Sequence, residues 1–141
     1  MPTDTLGDAL LLIARNAIGE RFGCTPQMVT QLPELAEPAA TFVTLTQDGR
    51  LRGCIGSLEA QRPLARDVAE NAVAAAFEDR RFSPLSKEEL ARTRVEVSLL
   101  TPPEPFPVAD ERDALARLRP GIDGLVLSYG RRRATFLPQV W

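Results

Sequence analysis

Apolar residues recur every three or four positions across residues 3–22, at Leu6, Leu10, Ile13, Ala14, Ala17 and Ile18, which predicts an amphipathic helix. Thr3 or Asp4 supplies its N-cap, and Gly23 offers the left-handed stop. Residues 24–40 hold Pro26, Pro33 and Pro38 without any period and read mostly as loop. The period then drops to two over Thr41–Thr46, with Val43 and Leu45 on one face, as in a half-buried strand. Gln47-Asp48-Gly49-Arg50 is a hairpin turn by its Asp-Gly pair, so Leu51–Ser57 returns antiparallel to the first strand.

A second helix is predicted from Pro63 to about Phe77, its apolar arc centred near Val68, Ala72 and Ala65. Asn71 falls on the edge of that arc, with Asp67 and Glu70 farther round. Ser86 with Glu89 forms a capping box that opens a short helix. Val95, Val97 and Leu99 alternate as a strand that ends at the proline-rich stretch 101–107. Asp110 or Glu111 starts another helix through Leu118, stopped by Pro120-Gly121. Leu125, Leu127 and Tyr129 then face Arg133, Thr135 and Leu137, or their neighbours, across a turn at Gly130-Arg131. The elements make an α+β fold, a mainly antiparallel sheet flanked by helices, over a single domain spanning 1–141.

Composition narrows the chemistry. With 44% hydrophobic and 26% charged residues the chain has the makeup of a globular domain. A net charge of −2 gives no electrostatic case for nucleic acid or an anionic membrane as a partner. No apolar run approaches the ~20 residues of a membrane span, and the N-terminus does not read as a signal peptide. Two distant cysteines give no disulfide framework, so a reduced, cytoplasmic setting is expected. The sequence contains no histidine, which removes Ser-His-Asp triads, Cys-His dyads and His-ligated metals within the chain. Acid–base work falls to carboxylates, arginine, the single tyrosine or thiols.

Leu51-Arg52-Gly53-Cys54-Ile55-Gly56-Ser57 concentrates the candidate chemistry. Strand alternation points Leu51, Gly53 and Ile55 one way and Arg52 and Cys54 the other. A guanidinium beside a thiol favours the thiolate, the reactive form. Glycines at 53 and 56 either let a ligand approach the backbone, or relieve crowding against the next strand or form a bulge. Arg52 is an anion clamp or a solvated strand residue, and Cys54 a nucleophile or a small space-filler. Asn71 stitches a loop to its helix or contacts a ligand. Cys24 reads as inert, and Arg131–Arg133 as a solvated turn.

Leu-Arg-Gly-Cys-Ile-Gly resembles the signature of the AMME chromosomal region protein family, whose bacterial members are protein A of the AmmeMemoRadiSam system. The resemblance covers most of the chain. Asp48-Gly49-Arg50 precedes the signature, and Glu70-Asn71-Ala72 through Arg81-Phe82 follows it. Asp123–Leu127 and Ala134–Trp141 close the match, although Arg80 stands where the family usually has proline. The likeness implies an α+β fold in two lobes with the signature lining a cleft. It also implies a pathway shared with Memo-type and radical S-adenosylmethionine proteins. Family members continue past the equivalent of Trp141, so the chain reads as C-terminally short. No iron–sulfur or dinucleotide motif occurs, so no cofactor is expected and any radical step is a partner's.

Two functional readings follow. In one, Cys54 and Glu70 are catalytic, and Arg52, Gly53, Gly56, Asn71 and Arg81 bind a small molecule. In the other, the domain is a non-catalytic binding or scaffold module.

Overall fold

The computed structural model describes residues 6–100, 107, 109–117, 125–129 and 132–136. The chain divides into two compact units, Met1–Pro102 and Pro103–Trp141. Among the described residues no helix is long and apolar enough to cross a membrane.

In the first unit, helix α1 (Leu6–Glu20) buries Ala9, Leu10, Ala14 and Ile18, the stripe its sequence period predicts. It ends as expected at Gly23, whose φ is 77°. Thr3 and Asp4, the expected caps, lie outside the described residues. Strand β1 (Pro38–Gln47) starts three residues earlier than its alternation indicates. Its first two residues, Pro38 and Ala39, pair with the two-residue strand β3 (Arg62–Pro63). A proline can open a strand because its missing N–H is not needed there.

Strand β2 (Arg50–Gly56) pairs antiparallel with β1 through a turn in which Asp48 (φ 51°) and Gly49 (φ 77°) are both left-handed. Two successive positive φ values define the hairpin turn whose twist matches the strands. Gly49→Ala is therefore expected to cost about 1 kcal/mol, because alanine pays that much to enter the left-handed region. A thermal melt indistinguishable from wild type would refute this reading of the turn.

Strand β4 (Arg94–Leu100) also pairs antiparallel with β1, so β1 is the centre of the sheet. The register sets Val43 beside Ile55 and Val97, and Leu45 beside Gly53 and Val95. Helix α2 (Leu64–Phe77) lies over this face with Leu64, Val68, Ala72, Ala75 and Ala76 buried. Pro63 is its N-cap rather than its first residue. The short helix α3 (Lys87–Leu90) carries the expected Ser86/Glu89 capping box.

In the second unit, helix α4 (Glu111–Arg117) is capped by Asp110, whose Oδ1 accepts from the Asp113 N–H at 2.8 Å. Strands β5 (Leu125–Tyr129) and β6 (Arg132–Phe136) pair antiparallel, Leu125 opposite Phe136 and Leu127 opposite Ala134. The expected helix stop at Pro120-Gly121, the turn at Gly130-Arg131 and the Trp141 end lie outside the described residues. The architecture is α+β with an antiparallel sheet, as the hydrophobic pattern predicts.

Candidate functional site

The signature strand departs from simple alternation at one point. The β1–β2 register shifts between Leu45 and Thr46, which pair with Gly53 and Leu51, so Arg52 is an extra residue without a partner opposite it. This is a β-bulge, and it turns a side chain off the face that alternation assigns. Arg52 and Gln47 both donate to Glu89 Oε2, at 2.9 and 3.2 Å. Gln47 follows Leu45 by two positions, on the helix-covered face of β1. Arg52 therefore does not share a face with Cys54, which corrects the expectation from alternation.

Arg52 is built into the protein. It is 9% exposed, and its Nη2 donates to Glu89 Oε1 at 3.2 Å and to the Ser83 carbonyl at 2.9 Å. The hydrogen bonds from Arg52 to Glu89, with the Ser86 N–H next in weight, hold the Glu89 carboxyl down to about 2.

Both glycines are occupied by packing. A Cβ on Gly53 would sit 2.1 Å from the Ala75 carbonyl oxygen of α2, and one on Gly56 would sit 2.2 Å from the Phe42 ring. Each makes room for the protein itself.

Cys54 stands half-buried on the face of β2 opposite Gly53, and its Sγ lies 3.3 Å from Thr44 Oγ1. The cation near it is Arg81. Asp79, just past the end of α2, accepts the Cys54 backbone N–H at 3.0 Å. The same carboxylate accepts from Arg81 N (3.1 Å), Nε (3.0 Å) and Nη2 (2.7 Å). Arg81's hydrogen bonds hold Asp79 well below the usual carboxylate range against its burial, helped by the Cys54 N–H. Arg81 is raised in turn, chiefly by Asp79, with Cys54 within electrostatic reach. Two guanidiniums lie near the centre of the Phe82 ring, with Cζ of Arg81 at 5.5 Å and Cζ of Arg52 at 5.8 Å.

Asn71 and Glu70 sit elsewhere, on α2, so the sheet separates them from the Cys54 side chain. Asn71 Nδ2 donates to the Thr41 carbonyl (3.0 Å), to Ser57 Oγ (3.2 Å) and to Asp67 Oδ2 (3.1 Å), while its Oδ1 accepts from Arg62 at 3.2 Å. That is the stitching arrangement. Glu70 is exposed and shared between Arg62 Nη1 (3.0 Å) and Arg66 Nε (2.6 Å).

The residue the sequence reading placed away from the buried face is Asp67, which is 1% exposed. It accepts from Thr41 N, Thr41 Oγ1, Ser57 Oγ and Arg62 Nε, each at 2.7 Å. Burial pushes its carboxyl up, but the Thr41, Arg62 and Ser57 hydrogen bonds outweigh it, and the net shift is downward. Leu64, Asp67 and Asn71 stand at i, i+3 and i+7, and that spacing was the available signal for its burial. Among the described residues no cluster of His, Cys, Asp and Glu could hold a metal ion.

The AMMECR1 family model matches residues 11–141. A protein from Methanothermobacter thermautotrophicus is 43% identical over 137 residues, which cover 95% of this chain and 71% of that protein. One from Sulfolobus acidocaldarius is 42% identical over 142 residues, 96% of this chain and 63% of that protein. The crystal structure of the uncharacterized protein PH0010 from Pyrococcus horikoshii matches with a TM-score of 0.85 at 36% identity, over 95% of this chain and 70% of that one. The chain thus spans part of the length of each. With the family model matched over residues 11–141 and a relative 43% identical over 95% of its length, this chain belongs to the AMMECR1 family.

Proposed function

We propose that this AMMECR1 domain binds a small molecule at Cys54 and that its chemistry depends on the thiol, with Arg81 as the cation that orients an anionic group beside it. The observation that supports this reading is the double role of Asp79. One buried carboxylate fixes both the Cys54 backbone and the Arg81 guanidinium, so cation and thiol are held by a common anchor. Arg81 Nη1 has no hydrogen-bond partner among the described residues, which leaves a donor for a ligand. In the wider pathway proposed from the resemblance, Memo-type and radical S-adenosylmethionine proteins are the partners, in the cytoplasm, and they carry any radical step.

Alkylation tests the site. Cysteine thiolate displaces iodide from iodoacetate, which carries a carboxylate, and from iodoacetamide, which does not. At Cys54 the rate ratio of iodoacetate to iodoacetamide is expected to exceed that at exposed Cys24 by about fivefold. That is the factor given by about 1 kcal/mol of attraction to a nearby cation in water-like surroundings. Arg81→Gln should bring the two ratios together.

The scaffold reading has its own support, since Arg52, Gly53 and Gly56 are all engaged in packing. It takes the lead if Cys54 resists both reagents until the protein unfolds.

A further inference from the structure

The β1–β2 ladder decides which backbone groups of the signature strand are used inside the sheet. In an antiparallel pair, successive residues turn their N–H and C=O alternately toward the partner strand and away from it. The Cys54 N–H leaves the sheet, where Asp79 accepts it, whereas the Ser57 N–H donates inward to the Thr41 carbonyl at 2.9 Å. The register is unbroken from Leu45↔Gly53 to Phe42↔Gly56, so Cys54 and Gly56 both direct their backbone groups outward. The Cys54 C=O and the N–H and C=O of Gly56 have no partner among the described residues. Gly56 is half-buried, and because a glycine is all main chain, the surface it exposes is main chain.

An unpaired strand edge is a template for a further extended chain. This one is closed at one end. Asp79, 7% exposed, stands where the carbonyl of an added strand would accept the Cys54 N–H, so an added chain must stop there. At that stop lies Arg81, whose side chain is 57% exposed and whose Nη1 has no partner among the described residues. A blocked path beside an available guanidinium suits a chain that ends in a carboxylate.

We propose that the β2 edge binds the C-terminus of an extended peptide running antiparallel to β2. The proposal rests on the Arg81 part of the Cys54 reading and names its ligand class, a peptide or peptide-like carboxylate. The third residue from the peptide's end exchanges two hydrogen bonds with Gly56, accepting from its N–H and donating to its C=O. The last residue donates its N–H to the Cys54 C=O, and its carboxylate accepts from Arg81 Nη1. Paired residues share a sheet face, so the last side chain lies beside Cys54. The third-last lies beside Gly56, next to the Phe42 ring that fills the place of the missing Cβ, and an apolar residue is favoured there.

Titration by nuclear magnetic resonance tests this through the Gly56 amide proton, with Val97, on the opposite edge of the sheet, as internal control. The probe is an N-acetylated tripeptide, leucine followed by two alanines, as the free acid and as the C-terminal amide. The expected result is a saturable downfield shift at Gly56 with the acid, none at Val97, and about fivefold weaker binding of the amide, as a charge pair about 4 Å apart in water-like surroundings supplies. Methylating the amide nitrogen of the last residue should abolish binding, a change that leaves the protein untouched. Arg81→Gln should make acid and amide bind alike. Equal binding of acid and amide by wild type, or a Gly56 proton that does not move, would overturn the proposal. Gly56 shifts that follow protein concentration without peptide would also overturn it, by giving the edge to a second copy of the chain. Alkylation reads the thiol and this titration reads the edge. A Cys54 that resists alkylation while Gly56 still responds removes the thiol chemistry alone, and the reverse pattern removes the peptide alone.

Discussion

Gly53→Val is expected to bring the domain to the edge of unfolding, and Gly53→Ala to cost about 3 kcal/mol in chemical denaturation. The new Cβ would stand 2.1 Å from the Ala75 carbonyl oxygen and 3.0 Å from its carbon. Both belong to the backbone of α2, so no side-chain rotation relieves the clash. The helix must lift from β1 and β2, opening the layer in which Val43, Leu45, Val68 and Ala72 are fully buried. Overpacking that displaces only side chains costs roughly 1–3 kcal/mol, and moving a whole helix lies at or above that limit. Set against a total stability of about 5–15 kcal/mol, valine at this position leaves little. Gly56→Ala is the internal comparison. Its Cβ meets the ring of Phe42, a half-buried side chain rather than backbone, so a smaller cost than at position 53 is expected. Equal losses at the two glycines would show that close approach of α2 is not what position 53 requires.

Asp67→Ala should destabilise the protein by about 3–5 kcal/mol at neutral pH, the range for removing one partner of a buried ion pair. The substitution would strand Arg62 Nε, the Thr41 N–H and two hydroxyls that now converge on one carboxylate. It would also unpin the start of α2 from β1, since Asn71 reaches Thr41 and Ser57 through the same network. The pH dependence follows from the same bonds. Asp67, Asp79 and Glu89 all have native carboxyls shifted below their ordinary values, Glu89 to about 2. An unfolded carboxyl titrates near ~4, so below that pH the unfolded chain binds protons that the native protein does not. Their contribution is thus complete above the unfolded value and is lost as pH falls through the native ones. Wild type should lose stability steadily from about pH 5 to pH 2, and Asp67→Asn or Glu89→Gln should each flatten that slope by up to one proton. A denaturation midpoint that is constant across this window would contradict the network.

Neighbours along the chain are enough to specify the local elements of this protein. The α1 stripe, the Asp48-Gly49 turn, the α2 apolar arc, the Ser86/Glu89 cap and the β4 strand all follow from local periods and backbone preferences, and each is present, although the β4 alternation holds in burial only as far as Val97 and leaves Leu99 exposed. The family signature was legible for the same reason, as a contiguous string. The tertiary structure decided where the signature's side chains go. One extra residue in β2 moved Arg52 away from Cys54, and strand alternation carries no trace of a bulge that is set by pairing with β1. Asp79 and Arg81 became the neighbours of Cys54 because the chain leaving α2 runs back along β2, a contact 25 residues apart in sequence. Asp67 stood off the apolar arc of its helix, and it is buried because Thr41, Ser57 and Arg62 come from other elements to satisfy it. A polar residue's fate depends on which partners meet it, and those partners are brought together only by the closing of the sheet and helix on each other.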